Sequence, residues 1–360
     1  MRIRVDIWKK YIALLLALVM VCAMALAGCA GKKGSNGSAE TDPNAEPYSR
    51  DIFAMDTYMT VSAYGDRGEK AVNAAVKEIQ RLDALLSTGK DSSEVSKLNE
   101  NGGGKLSADT NALMDAALDL YESTDHVYDI TIYPVMKLWG FTDQNYKVPS
   151  DGDLKATLKL VDASTLDYDK EKKSVAFTVD GTQIDFGGIA KGYTSAAVAQ
   201  LYRDLGVTSG LVNLGGNVQA VGFKPDGNEW RIGIQDPLDA ESMLGVVSIH
   251  DAAVITSGGY ERNFEKDGVV YHHIIDPSTG YPADSGLVSV SIVSKDGTLA
   301  DGLSTSLFIM GKGKAADFWR AHKKDFDFVL CEEDGTLIVS NGLKDKFAPM
   351  DENAKVEYVS

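Results

Sequence analysis

Cysteine is scarce in this 360-residue chain: only Cys22, Cys29 and Cys331 occur. Cys22 and Cys29 belong to the extreme N-terminus, so Cys331 stands alone in the remainder, and neither an intrachain disulfide nor a cysteine-cluster metal site can form there. Histidine numbers only five. No P-loop, GxSxG or HExxH pattern occurs, which removes the commonest sequence signs of NTPases, α/β-hydrolases and zinc proteases. Positive charge is short as well: 36 Lys and Arg face 52 Asp and Glu, a net charge of −16. So acidic a chain is a poor ligand for nucleic acid. No internal repeat is visible, and the main apolar run, residues 11–25, falls short of the roughly 20 residues needed to span a bilayer.

That run has a meaning of its own. Arg2, Arg4, Lys9 and Lys10 precede it, and Leu26-Ala27-Gly28-Cys29 follows it. A basic n-region, an apolar h-region and small residues before a cysteine make an export signal ending in a bacterial lipobox. Residues 1–28 are therefore expected to be removed, leaving Cys29 as a lipidated N-terminus. Their loss subtracts four basic and one acidic side chain and takes the net charge to about −19. Residues 29–47 are rich in Gly, Ser, Asn and Pro and cannot bury a core. They read as a tether that holds a domain spanning residues 48–360 roughly 20–25 Å from a bacterial membrane. The expected location is extracytoplasmic.

Within the domain, Val72, Val76, Ile79, Leu82 and Leu86 recur at helical spacing, which predicts a helix over 66–87, and a second is predicted over 108–123. Strands are predicted at 58–63, 174–179, 211–214, 230–235, 246–250, 288–293 and 336–340. Helices and strands mix without a steady βαβ beat. The expected class is α+β, with antiparallel and mixed sheets flanked by helices.

Four segments carry chemistry. Ile184-Asp185-Phe186-Gly187-Gly188-Ile189-Ala190-Lys191 reads as a short strand, a glycine turn and a helix start, where backbone N–H groups can cradle a phosphate beside the Lys191 charge. Taken alone, it is equally a plain strand-to-helix connection. Leu211-Val212-Asn213-Leu214-Gly215-Gly216-Asn217 repeats the pattern. His272 and His273 precede an Asp276-Pro277-Ser278-Thr279-Gly280 turn, and His273 serves either as a general base or as a structural partner of that turn. Asp301 and Thr305 lie four apart at the start of a predicted helix. They offer oxygen ligands to a hard cation, or else Asp301 merely complements the helix dipole.

The order of these segments resembles the FAD:protein FMN transferases of the ApbE family. Met55-Asp56-Thr57, Asp91-Ser92-Ser93-Glu94, Tyr128-Asp129-Ile130-Thr131, Leu138-Trp139-Gly140-Phe141 and Thr256-Ser257-Gly258-Gly259-Tyr260-Glu261-Arg262 extend it along most of the chain after the tether. The resemblance implies that Met55, Val127, Tyr128, Asp129, Asp185, Lys191 and Ile275 line an FAD site. It implies Mg²⁺ held by the Gly188 carbonyl and the side chains of Asp301 and Thr305. Three positions depart from the family pattern: Asp56 replaces a usual glycine, Gly89 a frequent aromatic, and Ser304 a second acidic ligand found in some members.

The implied reaction is Mg²⁺-dependent transfer of FMN from FAD to a threonine or serine hydroxyl of an exported or membrane protein with an FMN-binding domain, releasing AMP, with His273 as base. Two other readings share these residues: an FAD pyrophosphatase yielding FMN and AMP, and a non-catalytic flavin- or solute-binding lipoprotein. A lipid anchor would concentrate enzyme and acceptor on one membrane.

Overall fold

The computed structural model describes residues 45–360. The signal, Cys29 and the tether up to residue 44 lie outside the described residues. Nine strands form the central sheet: β1 (Tyr48–Ala54), β2 (Thr57–Ala63), β3 (Ser209–Asn213), β4 (Asn217–Gly222), β5 (Ala253–Gly258), β6 (Leu287–Ser294), β7 (Phe326–Glu332), β8 (Leu337–Ser340) and β9 (Val356–Val359). Their spatial order is their chain order. Each neighbouring pair is antiparallel except β8 and β9, which run parallel. The architecture is α+β, as the mixed pattern implies.

Among the described residues seven α-helices accompany the sheet: α1 (Gly68–Leu86), α2 (Glu94–Asn101), α3 (Ala108–Ser123), α4 (Tyr133–Trp139), α5 (Asp151–Thr157), α6 (Ala190–Asp204) and α7 (Gly297–His322). The apolar stripe of α1 packs with Val198, Ala199 and Tyr202 of α6 over β1, β2 and β3. Helices α3 and α7 cover one face of the middle strands through Leu113, Leu303, Val290, Ile255 and Phe328. A three-stranded sheet, Trp230–Gln235, Met243–Ile249 and Phe347–Pro349, covers the other through Ile232, Val247, Val254 and Val329.

Two expectations change on contact with the structure. Residues 182–186 form no strand. The Asn99 carboxamide donates to Ile184 O at 2.8 Å and accepts from Ile184 N at 2.7 Å, and Asp185 N donates to Ile130 O at 2.9 Å. Side-chain and loop partners thus supply the hydrogen bonds that a neighbouring strand would give. Helix α7 starts at Gly297, with Asp296 as the N-cap accepting from Thr298 N and Leu299 N. Asp301 is therefore in the second turn and is not the cap.

Candidate functional site

A cavity of about 1200 Å³ opens where the β1–β2 turn, the segment before α4, the start of α6, the end of β3 and α7 converge. Met55, Val127, Tyr128, Asp129, Asp185, Gly188, Lys191, His273, Ile275, Asp301 and Thr305 all line it. So the structure brings together every described residue that the sequence nominates for the site; Cys29 lies outside the described residues.

Helix crossing places Asp301. A Cβ on Gly192 would stand 2.2 Å from Gly297 O and 2.6 Å from Asp301 Cβ, so only glycine lets α6 lie this close to α7. The contact allows Gly192 N to donate to Asp301 Oδ2 at 2.7 Å. Asp301 is 5 % exposed. Burial pushes its carboxyl up to about 6, against the opposing pull of Lys191 and the Gly192 N–H, while Glu261 pushes the same way as burial.

One turn on, the Thr305 hydroxyl makes no hydrogen bond among the described residues, although Ser306 donates to Gly302 O at 2.7 Å in the usual helical back-bond. Ser304 is fully buried, donating to Asp301 O and sharing a 2.7 Å hydrogen bond with Ser257 Oγ, and so is spent on the fold. Among the described residues no three His, Cys, Asp or Glu side chains gather as a metal cluster. One carboxylate, one uncommitted hydroxyl and a backbone carbonyl lining the same cavity are donors of the kind Mg²⁺ takes, since it keeps several waters and uses one or two carboxylates together with substrate phosphates.

The nearby cations lack fixed partners. Lys191, in the first turn of α6, and Arg262 both line the cavity, and neither makes an ion pair among the described residues. Both can bind the phosphate groups of an anionic ligand in the cavity. Arg262 is a residue the sequence reading quoted without giving it a role. Its neighbour Glu261 faces the cavity, where removal from bulk water raises its pKa and Lys191 and Arg262 oppose the rise.

The two histidines divide. His272 Nε2 donates to Ala283 O at 3.1 Å and its Nδ1 accepts from Ile274 N at 3.3 Å, so both ring nitrogens serve the fold. His273 Nδ1 lies 3.2 Å from Arg262 O. A carbonyl can only accept, so Nδ1 carries the proton and Nε2 keeps its lone pair. Burial and the Arg262 charge hold this imidazole down at about 3 in the ligand-free protein, so it is neutral at physiological pH. The Asp276 turn does not use it: Asp276 Oδ1 accepts from Ser278 N and Ser278 Oγ at 2.8 and 2.7 Å.

The other nominated residues shape walls. Asp129 caps the 3₁₀ turn Ile130–Ile132, accepting from Thr131 N, Thr131 Oγ1 and Ala163 N at 2.8, 2.6 and 3.1 Å. Burial nevertheless raises its pKa. Tyr128 is buried, and its ring edge lies 3.0 Å from where a Gly188 Cβ would stand. Asp185 accepts from Gly187 N at 2.9 Å and holds the glycine turn. Ile275 is buried and bridges Pro282. Met55 and Asp56 form the two-residue turn between β1 and β2 with φ of 46° and 58°, a left-handed conformation that costs a non-glycine residue roughly 1–2 kcal/mol.

The family model of the ApbE family matches residues 55–330. The FAD:protein FMN transferase of Klebsiella pneumoniae is 32% identical over 313 residues, covering 86% of this chain and 96% of that protein. That of Treponema pallidum is 31% identical over 354 residues, covering 92% and 95%. The crystal structure of the ApbE protein from Thermotoga maritima superposes with a TM-score of 0.79 at 32% identity, over 84% of this chain and 99% of that one. The flavin transferase ApbE of Vibrio cholerae gives 0.75 at 26% identity, over 84% and 99%.

Proposed function

The chain belongs to the ApbE family, and from that premise we propose that it is an FAD:protein FMN transferase. The observation that carries the reading is one cavity holding the Asp301–Thr305 donor pair, two cations without fixed partners and a neutral histidine. Its 1200 Å³ exceeds the roughly 300–1,000 Å³ typical of small-ligand pockets and gives room for a dinucleotide.

Lys191 and Arg262 bind the pyrophosphate, and the glycine turn at 187–188 lets it approach the start of α6. Asp301, Thr305 and the Gly188 carbonyl would hold Mg²⁺, which when bound neutralises pyrophosphate charge and so eases displacement at phosphorus. His273 Nε2 takes the proton of the acceptor threonine or serine hydroxyl. That oxygen bonds to the phosphorus on the FMN side as the bond to the AMP phosphate breaks, and AMP leaves with the electron pair. Anionic phosphate beside His273 raises the pKa of its imidazole from the ligand-free value and makes it a stronger base.

The reading includes lipid attachment at Cys29 outside the cytoplasm and an exported or membrane-bound acceptor with an FMN-binding domain. Its support is the lipobox and tether in the sequence. AMP release from FAD tests the chemistry: release that needs both Mg²⁺ and the acceptor supports transfer, and acceptor-independent release at the same rate would point to a pyrophosphatase.

A further inference from the structure

Asp83, in the last turn of α1, touches two walls of the cavity at once. Its Oδ1 accepts from Met55 N at 3.2 Å, and its Oδ2 pairs with Lys90 Nζ. Met55, Asp56, Asp83, Gly89 and Lys90 all line the cavity. The first contact lands on the left-handed Met55-Asp56 turn, which has no glycine to relax it. The second lands on the 87–93 loop, already laced by Ser93 Oγ donating to Ser87 O at 2.6 Å and Ser93 N donating to Lys90 O at 2.9 Å. At Gly89 a Cβ would meet only Ser87 Oγ, at 3.7 Å, so no side chain there braces the loop against the β1–β2 turn.

We propose that Asp83 is a positioning residue that clasps the β1–β2 turn to the 87–93 loop and so fixes the width of this end of the cavity for its ligand. The inference rests on the reading of the cavity as an FAD site. The carboxylate is 18 % exposed and both contacts are charge-assisted, so the clasp is stronger than a surface hydrogen bond. Without it the turn can relax from its left-handed conformation and carry Met55 away from the ligand.

The test compares wild type, Asp83→Ala, Asp83→Asn and Lys90→Met by FAD titration followed through flavin fluorescence, and by amide exchange at Met55. Losing a hydrogen bond to a charged group should raise the Kd for FAD about tenfold in Asp83→Ala. The Met55 amide should lose protection in the same variant. Asp83→Asn keeps an acceptor for Met55 N but leaves none for Lys90 Nζ, so it should retain Met55 protection and weaken FAD binding to the extent that Lys90→Met does. FAD affinity and Met55 protection unchanged in a folded Asp83→Ala would overturn the clasp. Wild-type protein that binds no FAD would instead overturn the reading of the cavity, and the inference with it; the exchange data separate the two failures.

Discussion

At His273 one carbonyl decides what the side chain can do. Because Arg262 O accepts a hydrogen bond from Nδ1–H, the imidazole lines the cavity with its basic nitrogen free. Removing a positioned general base typically costs about 10²–10⁴-fold. His273→Ala should therefore lower FMN transfer at saturating Mg²⁺ by at least about 100-fold while FAD titration changes little; near-wild-type transfer would remove His273 from the chemistry. The same imidazole shapes acid stability. Unfolded histidine titrates near 6.5, and in the folded protein the value is about 3. As pH falls, the unfolded chain takes up the proton first, so stability is complete above about 6.5 and is lost as pH falls toward 3. Urea midpoints at pH 7 and pH 5 should show a smaller drop for His273→Gln than for wild type. At this scale Asp301 and Thr305 were legible from their spacing of four. Arg262 was not, since an arginine beside a glutamate is ordinary on any surface. The clue was Asp267-Gly268, a hairpin turn signal whose register pairs Asn263 with His272 and so sets Arg262 opposite His273.

Between elements, the α6–α7 crossing joins the fold to the proposed metal site. Gly192→Ala forces a methyl group onto Gly297 O, and overpacking of this kind costs about 1–3 kcal/mol. A lowered melting temperature and weaker Mg²⁺ binding by calorimetry should appear together, because the same shift moves Asp301. An unchanged melting temperature would show that the helices can part freely. The β1–β2 turn makes the opposite prediction. Asp56→Gly relieves a left-handed residue and should raise stability by about 1 kcal/mol, read as a higher urea midpoint. Several elements escaped sequence reading for a reason visible here. In β5, Ala253 and Ile255 face the helices while Val254 faces the small sheet, and in β4 Val218 and Ala220 oppose Val221. Strands buried on both faces lose the apolar–polar alternation that marks a strand. Amphipathic α1 and α3 were legible because each has a wet side.

Over the whole molecule, the cavity is assembled from residues that stand as far apart in the chain as Met55 and Thr305. Segment order along the chain was readable, but their convergence depends on a sheet whose strands follow chain order, which spacing alone does not reveal. The fold gathers a carboxylate, a hydroxyl and two cations in one space, so its ligand should be an anion that brings a metal with it. Chelation by EDTA should accordingly weaken FAD cleavage far more than it lowers the melting temperature, since among the described residues no three His, Cys, Asp or Glu side chains gather to staple the fold through a metal. The central claim is that this space transfers FMN to another protein. Its most direct test is the intact mass of an FMN-binding acceptor domain after incubation with residues 30–360, FAD and Mg²⁺. The acceptor should gain the mass of FMN less one water, and the gain should be absent with EDTA and with Asp301→Ala. Unchanged acceptor mass alongside free FMN and AMP, or FAD left intact, would contradict it.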